Sequence, residues 1–323
     1  MKYTNYLATI IMLLIVYGVY GIVKSYISED EEFKNYNNVS QYLVNDSSLA
    51  KSKLPILWIY MDYEKNSRWW ESFYSRNSTD LNQPYLYLTI KSIIDQCGGH
   101  FNICLIDDKT LPDIIPGWTT DLDALSNPLK SNFRDLAQAR LLKHYGGMFI
   151  PPSFMCIKNL ANMYHDSVFG GNVFVGELNN ENKTSDTLDV FVSKKFIGAH
   201  KNSKTLDNYI NYLQELISTD YTSKSVFEGS ADTWLYEQSK LDKVTIIDAK
   251  YLGAKDASNK NVTVDALIGS SFVDFSPKAL GVYFPQEQLL TRTSYQWFTN
   301  LNARQLLESD TIMGKLLVSA GSC

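Results

Sequence analysis

The chain has 323 residues, of which 45% are hydrophobic, 13% aromatic and 20% charged, and its formal net charge is −5. This composition excludes a largely disordered protein, because disordered chains are poor in aromatic residues. It also argues against a nucleic-acid partner, since the charge balance is acidic and no block of basic residues occurs. A zinc site or a disulfide-rich scaffold has little support, because no CxxC pair occurs among Cys97, Cys104, Cys156 and Cys323.

The first element in the chain is an uncharged, mostly apolar segment at residues 3–23. As a helix this segment would span roughly 30 Å, the thickness of the hydrocarbon core of a membrane. A cleaved signal peptide is the alternative, but the apolar run is long for one and no A-x-A-like cleavage site follows it. We therefore expect residues 1–28 to form a short cytoplasmic tail and a membrane anchor. Lys2 and the amino terminus carry the positive charge, which predicts a single-pass type II protein with a lumenal or external C-terminal domain.

Residues 29–52 are rich in Asn, Ser and charged side chains, which is typical of a stem between a membrane and a domain. The remaining residues, 53–323, are then one domain. Glycosylation sequons begin at Asn38, Asn45, Asn77, Asn182 and Asn261. They fit a lumenal domain, although a chain of this composition would contain roughly three or four by chance.

Within this domain, apolar β-prone runs alternate with segments of helical spacing. Strands are predicted at residues 54–60, 101–106, 148–150, 191–192, 196–198 and 244–247. Helices are predicted at residues 84–94, 132–144, 203–217 and 232–239. This alternation predicts an α/β fold with a mostly parallel sheet covered by helices on both faces.

The segment 131–150 carries a recognisable motif, in which Asp135 opens a helix that ends in Tyr145-Gly146-Gly147 and leads into a strand. This pattern resembles the core of GT-A-fold glycosyltransferases, in particular the family with a DxD sugar-binding region that includes mannosyltransferase-like and capsular polysaccharide synthesis proteins. The resemblance extends more thinly from about residue 54 to about residue 238, and it implies a GT-A-like fold. The segment 73–84 is also similar to uncharacterised proteins of large DNA viruses.

In that family a strand after the Gly-Gly pair delivers an Asp-x-Asp that holds a divalent cation against the diphosphate of a nucleotide sugar. Here the corresponding positions are Pro151, Pro152 and Ser153, so both carboxylates are missing. A C-terminal histidine ligand, common in such enzymes, is also missing, because no histidine follows His200. Since a divalent cation of this kind needs hard oxygen ligands, the resemblance implies that the metal site is lost.

The resemblance also implies residues that contact the nucleotide sugar. Trp58 matches a tryptophan that stacks on the nucleotide base, although a core tryptophan fits its apolar surroundings equally well. Asp135 matches a donor contact, and its alternative is a first-turn helix carboxylate. Gln138 stands where the family has an arginine, and Gly146 and Gly147 complete the predicted binding set. Arg134 and Arg140 flank Gln138 and are expected on other faces of the helix, which argues against either replacing the missing charge.

Three further features could be functional. Asp107 and Asp108 follow a predicted strand and could hold a relocated metal or act as a base, or could simply mark a turn. His200 could lie on the acceptor side, although a lone histidine is more often structural. Cys97 and Cys104 could pair in an oxidising compartment, or could remain buried thiols.

Two functions therefore remain open. The first is a membrane-anchored glycosyltransferase-like enzyme that moves sugar from a nucleotide sugar to a glycan or glycoprotein acceptor without a metal cofactor. The second is a catalytically inactive descendant of that fold, which serves as a membrane-tethered structural or binding component, for example in the particle of a large DNA virus.

Overall fold

The computed structural model describes residues 53–61, 85–178, 190–219 and 224–321. The described parts of 53–115 and 119–321 belong to one compact unit. The expected anchor and stem, residues 1–52, lie outside the described residues. None of the helices in the described part of the chain is long and apolar enough to cross a membrane.

Strands and helices alternate along this unit. The strands are β1 (Ile56–Tyr60), β2 (Asn102–Ile106), β3 (Gly147–Ile150), β4 (Phe154–Cys156), β5 (Val173–Glu177), β6 (Val192–Ala199), β7 (Val244–Ile247) and β8 (Gly281–Tyr283). The longer helices are α1 (Tyr85–Cys97), α3 (Leu129–Tyr145), α4 (Ala161–Val168), α5 (Lys204–Ser218), α6 (Lys224–Ser239) and α11 (Ile312–Ala320). Short helices are α2 (Leu111–Ile114), α7 (Val264–Ile268), α8 (Gln286–Thr291), α9 (Gln296–Thr299) and α10 (Ala303–Leu307).

The central sheet has six strands in the order β2-β1-β3-β6-β5-β7. Strands β2, β1 and β3 are mutually parallel, and β5 is parallel to β7. Strand β6 runs antiparallel to both of its neighbours, β3 and β5. The expectation of an α/β fold with a mostly parallel sheet is therefore confirmed, with one reversed strand in the middle. Strands β4 and β8 form a separate antiparallel pair.

Strand β6 corrects the expectation of two separate strands at 191–192 and 196–198. The polar residues Ser193, Lys194 and Lys195 continue the same strand, and the pairing with β5 shifts register between Val175 and Gly176. An irregularity of this kind breaks the alternation of apolar and polar residues along a strand. The polar interruption in the sequence therefore marks a distortion within one strand.

Alternate residues of β1 face opposite sides of the sheet, as the period of a strand requires. Leu57 and Ile59 lie in the main hydrophobic core together with Ile93 of α1. Trp58 points the other way and contacts Tyr145 of α3, with ring centroids 5.7 Å apart. Helices therefore cover both faces of the sheet at β1.

The Tyr-Gly-Gly sequence makes the tight turn from α3 into β3. Gly147 has φ +95°, and a Cβ atom at this position would lie only 2.0 Å from the carbonyl oxygen of Ile56. Only glycine tolerates this combination of positive φ and close backbone approach. Gly147 therefore lets β3 pair closely with β1.

Candidate functional site

Five of the six strands in the central sheet point the same way, so their carboxyl ends lie along one edge. Ligands of open α/β sheets bind outside this edge. Two groups of polar side chains lie near it. The carboxyl-edge cluster comprises Tyr60, Asp108, Lys130 and Arg134. The buried lysine cluster comprises Asp135, Lys194, Tyr209 and Asp232.

The carboxyl-edge cluster is centred on Asp108, just beyond the end of β2. Arg134 binds its carboxylate with both arms of the guanidinium, with Nε 2.9 Å from Oδ1 and Nη2 2.6 Å from Oδ2. The Lys130 ammonium lies 3.2 Å from the same Oδ2, and the Tyr60 hydroxyl donates to Oδ1. The Arg134 guanidinium also stands over the Tyr60 ring, 5.5 Å from its centroid. Two cations from the first two turns of α3 are thus held at the ends of β1 and β2.

The charges of this cluster favour an anion. Burial raises the pKa of Asp108, but the hydrogen bonds from Arg134 and Tyr60 outweigh it, so the pKa of Asp108 is lowered and the group is ionised at neutral pH. Among the described residues, the partly buried Asp108 carboxylate contacts two cations, which also lie near the positive end of the α3 dipole. Asp123 approaches Lys130 at 3.7 Å, but its side chain is 70% exposed, so water screens that charge.

Asp107 has a different position from Asp108. Its carboxylate accepts the backbone N–H of Thr110 at 2.9 Å, and its backbone N–H donates to the Thr110 hydroxyl at 2.9 Å. These contacts are those of a turn at the end of a strand. The two adjacent aspartates thus separate, with Asp107 in the turn and Asp108 in the cluster.

The buried lysine cluster fixes Asp135. The Lys194 ammonium lies 2.5 Å from Oδ2 of Asp135, and the backbone N–H of Lys194 donates to Oδ1 of Asp232 at 2.8 Å. Burial lowers the pKa of Lys194, but the two carboxylates outweigh it and raise that pKa. Burial raises the pKa of both Asp135 and Asp232 above the usual aspartate range, and Lys194 only partly offsets this. With 6% of its surface exposed, Asp135 is committed to Lys194 rather than to a ligand in this arrangement.

Tyr209 completes this cluster from α5. Its ring stacks on Trp234 with centroids 5.2 Å apart, and its hydroxyl has no hydrogen-bond partner among the described residues. Burial and the charges of Asp135 and Asp232 raise the pKa of Tyr209 well above its usual value. The hydroxyl therefore stays protonated and is a donor beside two carboxylates. The Asn132 amide, one turn before Asp135 on α3, is also buried without a partner for Nδ2 among the described residues.

Trp58, expected to stack on a nucleotide base or to lie in the core, has no exposed surface. Its indole N–H donates to the carbonyl of Gly146 at 3.0 Å, and its ring lies 6.0 Å from that of Phe149 in a stacked arrangement. Tyr145 contacts the ring edge-on. The ring therefore has no face free for a base, and Trp58 occupies a core position.

Residues 151–153 were tested for the cation that the family resemblance implies. They provide no carboxylate, and their three carbonyl oxygens already accept hydrogen bonds, from Phe154 N–H at 3.0 Å, the Thr89 hydroxyl at 2.6 Å and Phe284 N–H at 3.3 Å. The Ser153 hydroxyl is buried without a partner among the described residues. Nowhere in the described ranges do three His, Cys, Asp or Glu side chains converge to hold a metal. The donor set at 151–153 therefore does not fit a divalent cation.

Three of the other expected site residues, Gly146, Gly147 and His200, lie apart from both clusters. Gly147 pairs with Ala199 at the amino end of β3, so His200 lies at the opposite edge of the sheet from the carboxyl-edge cluster. His200 follows Lys194 by six positions, which corresponds to about 20 Å along an extended strand. His200 and the Gly146-Gly147 turn therefore do not share a site with the two clusters.

Arg134 corrects an expectation about α3. It precedes the half-buried Gln138 by four residues, which is one helical turn, so the two side chains project from the same side of the helix. Sequence reasoning placed Arg134 on another face and missed Lys130 altogether. The spacing of four between residues 130, 134 and 138 was the signal that could have found them.

Comparison with models of known protein families finds no match. Comparison with curated proteins finds none either. Among solved structures, the chain is similar to one titled "PaToxG Glycosyltransferase", with 14% sequence identity and a TM-score of 0.29. The match covers 67% of this chain and 80% of that one. Similarity at this level does not show what this chain binds or does.

Proposed function

We propose that the chain is a glycosyltransferase-like protein that binds the diphosphate of a nucleotide sugar at the carboxyl-edge cluster and moves the sugar to a glycan or glycoprotein acceptor. The observation that carries this proposal is the placement of Lys130 and Arg134 over the ends of β1 and β2. The sheet order, with one reversed strand between parallel ones, provides the edge at which such a ligand would lie.

The side chains of this cluster match a diphosphate. The Arg134 guanidinium forms bidentate hydrogen bonds with the two carboxylate oxygens of Asp108, and the same geometry suits two oxygens of a phosphate. Lys130 adds a second positive charge, and the Tyr60 hydroxyl is a further donor. In a partly buried setting such fixed donors stabilise the charge that develops on a leaving diphosphate. Lys130, Arg134 and Tyr60 would thus replace the divalent cation that neutralises the diphosphate in metal-dependent members of the family that the sequence resembles.

Calorimetric titration with a panel of nucleotide diphosphates and their sugars tests this proposal. The full chain should bind at least one member in the presence of a chelator, and Arg134→Met and Lys130→Met should each weaken binding by tenfold or more. Arg304→Met is the matched control, because that arginine is 85% exposed on α10 and forms a surface ion pair with Glu308. Absence of binding across the panel, or binding that the chelator abolishes, would contradict the proposal.

A second function, binding without catalysis, is favoured by one specific observation. Trp58 and Asp135, the residues expected to contact the nucleotide sugar, are both buried and engaged with protein partners. Burial of both residues is what we expect of a protein that retains the fold but has lost its catalytic activity. Product analysis separates the two functions, since the enzyme releases free nucleotide diphosphate over time and the scaffold releases none.

We further propose that residues 3–23 anchor the chain in a membrane as a type II protein. Support comes from the length and uncharged character of that segment. Extraction of membranes at alkaline pH tests the proposal, because an anchored chain stays in the pellet and a peripheral one is released.

A further inference from the structure

Cys97 and Cys156 form a buried pair of thiols far apart in sequence. Cys97 is the last residue of α1 and Cys156 is the last residue of β4, and their sulfur atoms lie 3.7 Å apart. Both side chains have no exposed surface. From the sequence, Cys97 could pair with Cys104 or remain a buried thiol, and the structure places its sulfur beside that of Cys156 instead. This arrangement arises because α1 packs along β4, a contact that no local spacing in the sequence shows.

The surroundings hold the two sulfurs in this position. The Ser92 hydroxyl of α1 accepts the backbone N–H of Cys156 at 2.9 Å. The Thr89 hydroxyl donates to the carbonyl of Pro152 at 2.6 Å. Strand β4 is fixed on its other side by pairing of Cys156 with Gly281 of β8. The hydrogen bonds that align α1 with β4 therefore do not involve the sulfur atoms of Cys97 and Cys156.

We propose that Cys97 and Cys156 form a disulfide that ties α1 to β4 when the chain folds in the presence of a small-molecule disulfide oxidant. The sulfurs must approach from 3.7 Å to about 2.05 Å, which is a small movement for two side chains on aligned elements. This inference is independent of the proposed sugar-binding site.

The reaction balances with a disulfide such as oxidised glutathione as oxidant. The Cys97 thiolate attacks one sulfur of the oxidant, which forms a mixed disulfide and releases one glutathione thiol. The Cys156 thiolate then attacks the Cys97 sulfur, which forms the internal bond and releases the second thiol. Two electrons and two protons pass from the protein to the oxidant. Once the chain is folded, the hydrogen bond between the sulfurs lowers the pKa of the Cys97 thiol and raises that of Cys156.

Peptide mapping tests the proposal on the full chain, synthesised cell-free with detergent in a glutathione redox buffer so that pairing can occur during folding. Free thiols are alkylated and the chain is cleaved with trypsin without reductant. Because one tryptic peptide, 92–109, contains both Cys97 and Cys104, Cys104→Ser is used alongside the wild-type chain. The expected product joins peptide 92–109 to peptide 144–158 and is lighter than their sum by two hydrogens. Cys97→Ala should lose this product.

A second measurement uses the same chains without digestion. Reduction should lower the unfolding temperature of the wild type and of Cys104→Ser by roughly 5–10 °C, and should leave that of Cys97→Ala unchanged. Complete alkylation of Cys97 and Cys156 in the wild-type chain made under oxidising conditions would overturn the proposal. Cross-links that join Cys97 to Cys104 or Cys323 instead would also overturn it.

Discussion

Replacement of Lys194 by methionine tests the buried lysine cluster most sharply. Methionine keeps a long apolar side chain and removes the ammonium. The Lys194 ammonium lies 2.5 Å from Asp135, and the two side chains are 15% and 7% exposed. Asp232 accepts the backbone N–H of Lys194 and adds a second buried carboxylate. The substitution therefore leaves two carboxylates in the interior without their cation.

Removal of one partner from a buried ion pair costs about 3–5 kcal/mol, because the remaining charge stays desolvated. For a domain of this size we expect the unfolding temperature of Lys194→Met to fall by about 10 °C at neutral pH. The pKa values of Asp135 and Asp232 are raised even with Lys194 present, so the folded chain binds more protons than the unfolded chain above the usual aspartate pKa. The contribution of Asp135 and Asp232 to the free energy of unfolding is therefore present at low pH and is lost as pH rises through their raised pKa values. The deficit of Lys194→Met should accordingly be smaller at pH 5 than at pH 8.

Urea unfolding at pH 5, 6.5 and 8 measures both effects. Lys240→Met is the matched control, because that lysine is 54% exposed and contacts Glu237 and the Tyr236 ring at the surface. Its replacement should cost less than about 1 kcal/mol. Adding Asp135→Asn to Lys194→Met should restore part of the loss, since it removes one of the unpaired charges. A Lys194→Met chain as stable as Lys240→Met, or one whose deficit does not change with pH, would refute the reasoning.

Three further predictions concern other parts of the fold. Gly147→Ala should destabilise the chain by about 3 kcal/mol or more in urea unfolding, because the added Cβ would lie 2.0 Å from the Ile56 carbonyl oxygen. Gly99→Ala is the control and should be nearly neutral, since a Cβ at that position meets nothing within 4 Å. Burial and neighbouring cations lower the pKa of His144 to about 4, so stability should fall as pH drops below about 6.5 by up to about 3 kcal/mol, and His144→Gln should lack this component. A titration near pH 6.5 of the imidazole signal that His144→Gln removes would contradict that. Asn261 is exposed, so a chain made in secretory microsomes should carry a glycan on that residue. Enzymatic deglycosylation and Asn261→Gln should each remove this glycan. Absence of the glycan from the wild-type chain would count against a lumenal domain.

Much of the fold could be predicted because apolar runs mark buried strands. Strand β7 occupies the predicted residues 244–247, and α3 extends the predicted helix 132–144 at both ends. The first turn of α3 was missed because it follows Pro128 and holds polar residues. Strand β5 was missed although residues 173–175 are an apolar run after two glycines, and this pattern was enough to indicate it.

The candidate site was harder to predict, because it depends on strand direction and on contacts between distant residues. Nothing in the sequence of residues 192–199 shows that β6 runs antiparallel, and this direction alone moves His200 to the opposite edge of the sheet. The choice between Asp107 and Asp108 depends on which carboxylate meets α3, a contact 26 residues apart in the chain. The pairing of Cys97 with Cys156 is non-local in the same way.

The central claim, that a diphosphate binds at the carboxyl-edge cluster without a metal, is tested most directly by hydrogen exchange of the full chain with and without nucleotide diphosphate sugar in a chelating buffer. We expect ligand-dependent protection of backbone amides at residues 106–110 and 129–134, and no change at residues 144–147 and 199–201. Protection confined to the Gly146-Gly147 turn and His200, or no protection with any nucleotide sugar, would contradict the claim.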